Sequence, residues 1–144
     1  MDLVRLIYAS AMTEECDTSA LQRILDVSHA RNTKRKITGM LCYDPSYFLQ
    51  CLEGSRESVN TLFADIARDT RHKRVTLLEY TTIGEREFGA WSMAFVPVSA
   101  VDRHVFEKYR HGARFNPFEL SSEDAHELLA EVASHGSRMM ARQR

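Results

Sequence analysis

A glutamine within an apolar run is the first feature of this chain that could do chemistry. Gln50 lies two residues from Phe48 on one side and two from Leu52 on the other, in a run that ends at Gly54. Side chains alternate across a strand, so these three share one face. A buried primary amide needs partners, because an unpaired one costs roughly 1–3 kcal/mol. The run therefore predicts either a buried hydrogen-bond partner for Gln50, or a solvent-exposed face on which the amide meets water or neighbouring backbone.

The motifs of common enzymatic sites are missing from the chain. The sequence contains no glycine-rich dinucleotide or phosphate loop, no GxSxG nucleophile elbow and no HExxH pair. Its histidines form no ligand cluster by spacing, and Cys16, Cys42 and Cys51 match no zinc pattern. We therefore expect neither a metal site nor an enzymatic activity. Cys42 and Cys51 lie in apolar runs, and we interpret them as reduced core residues.

The elements that must position Gln50 follow from the spacing of the apolar residues. Asp17 or Thr18 can cap the first helix, and Ser55 can cap the second. Strands are predicted over Leu3–Ser10, Ile37–Asp44, Tyr47–Gly54, Val75–Thr82 and Trp91–Val98, and helices over Thr18–Asn32 and Arg56–Asp69.

This order of strand, helix, strand, strand, helix, strand, strand is typical of a ferredoxin-like α+β sandwich with both helices on one face of the sheet. The other face carries apolar side chains such as Ile7 and Leu49. Two tail helices, predicted over residues 101–110 and 122–135, would cover that face, and a partner subunit would do so equally well. Residues 136–144 show no periodic apolar pattern and are expected to fray.

Composition limits the classes of partner. The chain has 144 residues, with 19 Lys and Arg against 20 Asp and Glu, and a formal net charge of −1. The length suits one domain, and the balanced charge gives no general attraction to nucleic acid or to an anionic membrane. No apolar run approaches the length of a membrane span, and the N-terminus lacks a signal-peptide pattern. We expect a cytoplasmic location.

Basic residues cluster after each of the two predicted helices. In this fold, the C-terminal ends of the helices meet at one edge of the sheet. Cations there stabilise the helix ends by about 0.3–1 kcal/mol each; alternatively, the clusters flank a groove that holds a phosphate. The clusters comprise Arg31, Lys34, Arg35 and Lys36 after the first helix, and Arg71, His72, Lys73 and Arg74 after the second.

Four residues on three predicted strands could all face the helices: Tyr8 on the first, Gln50 on the third, and Trp91 and Met93 on the fifth. In this arrangement the chain resembles the BLUF family, the blue-light sensors that use flavin. It is also similar to the short, single-domain bacterial members, in which two helices follow the sensor. The resemblance covers residues 1–98 with intact spacing and rests on residues 6–10, Asn32 with 37–41, 48–54, 69–72 and 88–93.

The resemblance implies a sensor domain over residues 1–98, a helical extension over 99–135 and a tail over 136–144. It further implies a non-covalently bound flavin between the two helices, usually FAD, with FMN or riboflavin as alternatives. By family analogy, the residues that hold the flavin are Ile24, Ser28, Arg31, Asn32, Phe48, Gln50, Ile66, Asp69, Arg71 and His72.

The same resemblance implies their roles. Asn32 hydrogen-bonds the pyrimidine side of the ring, and Ile24 and Ile66 pack on its two faces. The group formed by Asp69, Arg71 and His72 lies near the ribityl, diphosphate and adenine end of the cofactor.

A photochemical cycle is implied as well. After blue light, Tyr8 donates an electron, a proton moves through Gln50, and the Gln50 amide is left rotated or tautomerised. The new hydrogen bond to the ring carbonyl shifts the flavin absorption to the red. Trp91 or Met93 then passes the change to the tail helices, to a homo-oligomer or to a downstream signalling protein.

Two other classes of function fit the chain. A small flavin-dependent redox enzyme would oxidise NAD(P)H in the steady state, although no nicotinamide-binding motif is visible. A ferredoxin-like interaction module without a cofactor would be colourless when purified.

Overall fold

A five-stranded sheet organises the chain in the computed structural model, which describes residues 2–109 and 115–135. The elements are β1 (Leu3–Met12), α1 (Thr18–Arg35), β2 (Thr38–Tyr43), β3 (Tyr47–Ser55), α2 (Arg56–Arg68), β4 (His72–Ile83), β5 (Ala94–Pro97), α3 (Arg103–Glu107) and α4 (Ser122–His135). Single turns of 3-10 helix lie at Val98–Ala100 and Pro117–Glu119.

The strand order is β4-β1-β3-β2-β5. β1 is antiparallel to both β3 and β4, β2 is antiparallel to β3, and β5 is parallel to β2. This is the ferredoxin-like α+β fold that the sequence predicts, with β5 added at one edge. In the β1–β3 ladder, Tyr8 lies directly opposite Gln50. Cross-strand partners on one face are close neighbours, so this register brings the two predicted photochemical residues together.

Both predicted helix caps are present. The Asp17 side chain accepts a hydrogen bond from the Ala20 amide at the start of α1, and the Ser55 side chain accepts one from the Ser58 amide at the start of α2. The two helices pack on one face of the sheet. The core on that face includes Leu6, Leu25, Phe48, Leu52, Val59 and Leu62.

The opposite face is covered by the tail, as predicted. Ile7, Leu49 and Cys51 of the sheet share a core with Leu128 and Leu129 of α4. Phe115 and Phe118, in the segment that leads into α4, pack edge-on against the ring of Tyr47 at centroid distances of 6.5 and 5.7 Å. With α1 and α2 on the first face and the tail on the second, the sheet has apolar cover on both sides.

Several element boundaries differ from the prediction. β5 begins at Ala94 rather than at Trp91, because the chain bends at Ser92 before it joins β2. β4 begins at His72 rather than at Val75, so His72, Lys73 and Arg74 of the second basic cluster lie within a strand, and Arg71 directly precedes it. The fraying predicted for residues 136–144 lies outside the described residues.

β4 forms one edge of the sheet and is irregular. Its pairing with β1 shifts register twice, between Ile7 and Tyr8 and between Ala9 and Ala11. Arg74, opposite the second irregularity, has a φ of 55°, and its guanidinium carbon lies 4.0 Å from the centroid of the Phe118 ring. Among the described residues, no helix has the length and apolar character needed to cross a bilayer.

Candidate functional site

A narrow cleft with a cavity volume of about 90 Å³ opens between α1, α2 and the sheet. All ten residues predicted to hold a flavin line the cleft, together with Tyr8. The remaining lining residues are Val27, Leu41, Leu62 and Asp65.

The Gln50 amide lies in the wall of this cleft and is 5% exposed. Its Oε1 accepts a hydrogen bond of 2.5 Å from the Tyr8 hydroxyl, and its Nε2 donates to the Met93 sulfur at 3.4 Å. The buried partner that the apolar run predicts is therefore Tyr8. Because thioether sulfur is a weak acceptor and cannot donate, Met93 favours the orientation in which Nε2 points towards it.

Tyr8 is buried, with 1% of its surface exposed, among aromatic neighbours. The ring of Phe63 lies 5.7 Å from its own and that of His72 lies 6.5 Å away. Burial raises the pKa of Tyr8 well above its usual value, and the negative charge of Asp69 adds to the effect. The phenol therefore remains protonated in the resting protein and donates to Gln50.

His72 links the cleft to the start of β4. Its Nδ1 is 2.9 Å from the Ser10 hydroxyl, and its ring lies 4.7 Å from that of Phe48. Burial, and to a smaller extent the Arg71 charge, lowers the pKa of His72 to about 4, although Asp69 acts in the opposite direction. The imidazole is thus neutral near pH 7, and it contributes to the cleft as an aromatic ring rather than as a cation.

Asp69 and Arg71 form a two-point ion pair at the rim. Arg71 Nε and Nη2 donate to the two carboxylate oxygens at 2.9 and 2.7 Å, and the Arg71 backbone amide donates to Oδ1 at 2.9 Å. The side-chain hydrogen bond from Arg71 is the main cause of a lowered pKa of Asp69. Arg71 therefore lines the cleft with its charge already paired to a carboxylate.

Asn32 has the only buried side-chain amide among the described residues for which neither the oxygen nor the nitrogen has a protein partner. The residue is 1% exposed and lines the cleft. A buried amide left unpaired costs roughly 1–3 kcal/mol, so this position calls for a ligand with both donors and acceptors. The pyrimidine edge of a flavin offers carbonyl oxygens and an N–H, and the residues present fit that group.

Trp91 does not share the face of Tyr8, Gln50 and Met93. It packs, partly buried, on the core beneath the tail helices, whereas Met93 belongs to the core on the helix face. The prediction that all four face the helices assumed a regular strand through Trp91 and Met93. The bend at Ser92, whose hydroxyl lies 3.0 Å from His29 Nδ1 of α1, turns the two side chains to opposite sides.

Two of the four additional lining residues, Val27 and Asp65, could have been predicted from helical spacing. In the first predicted helix, Val27 follows Ile24 by three residues, and in the second, predicted to end at Asp69, Asp65 precedes Asp69 by four. Residues three and four apart share a helix face, so the face that contains the predicted residues also contains these two. Leu41 and Leu62 enter as ordinary core residues. No group of three or more His, Cys, Asp or Glu suited to a metal ion occurs within residues 2–109 and 115–135.

Comparison with known proteins identifies related chains. A family model described as BLUF, sensors of blue-light using FAD, matches residues 3–94. The photoactivated adenylate cyclase subunit alpha of Euglena gracilis is 34% identical over 104 residues, which is 71% of this chain and 10% of that protein. The blue light- and temperature-regulated antirepressor BluF of Escherichia coli K12 is 30% identical over 111 residues, or 74% of this chain and 28% of that protein.

Among solved structures, one described as the photo-activated state of BlsA superposes with a TM-score of 0.78 at 33% identity. The match covers 90% of this chain and 93% of the BlsA chain. The likeness therefore extends beyond the five strands and two helices into the tail. By contrast, the chain spans only about a tenth of the length of the cyclase relative.

Proposed function

The chain belongs to the BLUF family of sensors of blue light using FAD, and we propose that it holds FAD in the cleft between α1 and α2 and switches the Gln50 amide in response to light. The observation that carries this proposal is the hydrogen bond between the buried Tyr8 hydroxyl and Gln50 Oε1, which lies in the wall of that cleft. The family supports a sensor and not an enzyme. Cyclase activity is named for a relative that is far longer than this chain.

Different residues of the cleft would contact different parts of the flavin. Asn32 supplies the donors and the acceptor for the polar edge of the flavin ring, because its amide has no protein partner. Ile24 and Ile66 line the cleft from α1 and α2 and provide apolar surface for the two ring faces. The residues at the start of β4, with Asp69, lie where the rest of the cofactor leaves the cleft, and the exposed Arg31 adds a cation to the rim.

A flavin bound here would supply absorption of blue light and, once excited, an oxidant strong enough to draw an electron from a phenol. Tyr8 is the phenol placed for this role. It keeps its proton in the dark because burial raises its pKa, and its hydroxyl already points at Gln50 Oε1. The proton of Tyr8 therefore has a defined acceptor atom 2.5 Å away when the phenol loses an electron.

The Gln50 amide can keep a changed orientation after the electron and proton have returned to Tyr8. The two ends of an amide have nearly the same shape but opposite hydrogen-bonding character. Rotation by half a turn places Nε2 against the Tyr8 oxygen and Oε1 against the Met93 sulfur at little steric cost. The hydrogen bonds then differ while the packing is kept, which makes Gln50 a two-state element.

The output leaves the sensor through the segment between Met93 and Trp91. Met93 contacts the Gln50 amide, and Trp91 packs on the core shared with α4. We assign residues 1–98 to the sensor and 99–135 to a helical extension that receives the change. A second copy of the chain or a downstream signalling protein, reached through that extension, completes the pathway.

The absorption spectrum of the purified protein tests the proposal, first in the dark and then after blue light. We expect a flavin spectrum that shifts slightly to the red and recovers in darkness. Gln50→Leu should retain the flavin and lose the shift, because leucine has nearly the same volume but no amide. Gln22→Leu, an exposed change on α1, serves as the matched control and should leave the shift intact.

Other outcomes identify the other classes of function. A flavin that bleaches to the reduced form, with steady-state oxidation of NAD(P)H, would indicate a redox enzyme. A protein that stays colourless after incubation with FAD, FMN and riboflavin would be an interaction module. A red shift that survives Gln50→Leu would remove Gln50 from the mechanism.

A further inference from the structure

A fully buried carboxylate lies on the same strand as the Gln50 switch. Glu53 of β3 is 0% exposed and points to the side of the sheet opposite Gln50, because side chains three residues apart on a strand face opposite ways. A carboxylate is costly to bury unless hydrogen bonds satisfy its oxygens. Here the Thr38 hydroxyl donates at 2.9 Å, and the backbone amides of Glu87 and Phe88 donate at 2.8 and 3.0 Å.

Arg86 reinforces this arrangement from outside. Its Nη1 donates to the Thr38 hydroxyl at 2.8 Å and to the Glu53 carbonyl at 2.9 Å, and its Nη2 donates to the Lys36 carbonyl at 2.7 Å. The guanidinium does not contact the carboxylate directly in these bonds. Instead, Thr38 passes the polarisation from the cation to Glu53, which strengthens a buried chain of hydrogen bonds.

The segment that Glu53 holds is the one that carries Met93. Within this segment, the Trp91 amide donates to the Phe88 carbonyl at 3.1 Å. The Trp91 carbonyl in turn accepts a hydrogen bond of 3.4 Å from the Gly39 amide of β2. Gly39 permits this approach of strands, since it has a φ of 154° and an added Cβ would lie 1.9 Å from the Cys51 carbonyl oxygen. Two residues beyond Trp91, the Met93 sulfur meets Gln50 Nε2.

We propose that Glu53 is a positioning residue for the Gln50 switch: it fixes the segment from Glu87 to Met93 and so holds the Met93 sulfur against the amide. This inference rests on the proposed light-sensing function and adds to it a determinant of how fast the switch resets. With Met93 in place, the rotated amide presents Oε1 to a sulfur that cannot donate, and the rotated state is destabilised. When the segment loosens, that destabilisation weakens and the return in darkness slows.

Dark recovery of the flavin-loaded protein is the first measurement, with Glu53→Gln, Met93→Ala and the double variant. The two Glu53 oxygens accept four hydrogen bonds, two each, from the Thr38 hydroxyl and the backbone amides of Glu87 and Phe88. Glutamine keeps the shape but can accept at only one end, so either orientation of its amide loses two of the four. We expect Glu53→Gln to keep the red shift and to slow recovery about threefold or more. In the Met93→Ala background, Glu53→Gln should change nothing further, because its effect acts through Met93.

Glu85→Gln is the matched control, since Glu85 is exposed in the same loop. It should recover at the wild-type rate. The proposal would be overturned if Glu53→Gln recovered at the wild-type rate. It would also be overturned if the double variant recovered more slowly than Met93→Ala by the same factor that Glu53→Gln shows alone. If Glu53→Gln does not fold, Arg86→Gln removes the outer support and should slow recovery in the same direction.

Amide hydrogen exchange of the flavin-free protein tests the same contact without light. Glu53→Gln should accelerate exchange at Glu87 and Phe88 by about tenfold or more, and Glu85→Gln should not. Unchanged protection at both amides would show that Glu53 does not hold the segment. If the wild-type protein shows no reversible red shift, the light-sensing function fails, and the exchange result still decides whether Glu53 holds the segment.

Discussion

Replacing Tyr8 by phenylalanine removes one oxygen from the centre of the site. The lost hydroxyl is the donor to Gln50 Oε1 at 2.5 Å, and both residues are buried. The change leaves a buried carbonyl oxygen without its partner, which costs roughly 1–3 kcal/mol. With a urea dependence of about 2 kcal/mol per molar, the unfolding midpoint of the flavin-free protein should fall by about 0.5–1.5 M.

Tyr8→Phe should also abolish the light-induced red shift completely. Phenylalanine has no proton to give and is much harder to oxidise than a phenol, so blue light should produce no reversible red shift. Bound flavin should remain, since Asn32 and the apolar lining are untouched. Light-minus-dark absorption spectroscopy and urea unfolding together measure both consequences on one sample.

Tyr43→Phe is the matched control. Tyr43 is half-buried at the end of β2 and lies outside the cleft that holds Gln50. It should keep the red shift and nearly all the stability. A Tyr8→Phe protein that still shifts with wild-type amplitude would refute the assignment of Tyr8 as donor, and an unchanged unfolding midpoint would refute the energetic importance of the hydrogen bond.

Three further predictions concern the surroundings of the switch. Asn32→Leu should weaken flavin binding at least about fivefold in a fluorescence titration, and an unchanged affinity would contradict the role of Asn32. The flavin-free variant should be at least as stable as the wild-type protein, because the change removes two unpaired buried atoms. The lowered pKa of His72, about 4, means that its contribution to stability is complete above the unfolded value of about 6.5 and is lost as the pH falls towards 4; His72→Gln should flatten the loss in that window, and the exposed change His104→Gln should not. Trp91→Ala should keep the red shift but speed limited proteolysis of the tail helices, since Trp91 packs on their core; loss of photoactivity would place it in the switch itself.

The helix face of the sheet could be predicted from the sequence because local signals agree there. The Ser55 cap and the apolar spacing that follows it predicted that α2 begins at Arg56, as observed. The predicted end at Asp69 lies one residue beyond the observed end at Arg68. The apolar neighbours of Gln50 on its own face left two alternatives open, a buried amide with a partner or an exposed face. The structure shows the buried one, and the register of β1 with β3 supplies Tyr8 as the partner. Alternation and capping are local properties, which is why they can be recognised in one sequence.

Two features of the site escaped prediction for physical reasons. Trp91 and Met93 alternate as in a strand, but the bend at Ser92 depends on contacts with α1 that sequence spacing does not express. Glu53 resembles an ordinary polar residue at a strand end. Two of the donors that permit its burial are backbone amides more than thirty residues away, at Glu87 and Phe88, and a backbone amide is present whatever the residue type.

The irregular β4 edge bears on how copies of this chain can meet. A straight edge strand offers an open row of amides and carbonyls, on which another chain can continue the sheet and start aggregation. β4 loses register with β1 at two points, and the left-handed Arg74 is anchored over Phe118, so the row is interrupted near its first residues. Sheet-to-sheet fusion along this edge is therefore disfavoured.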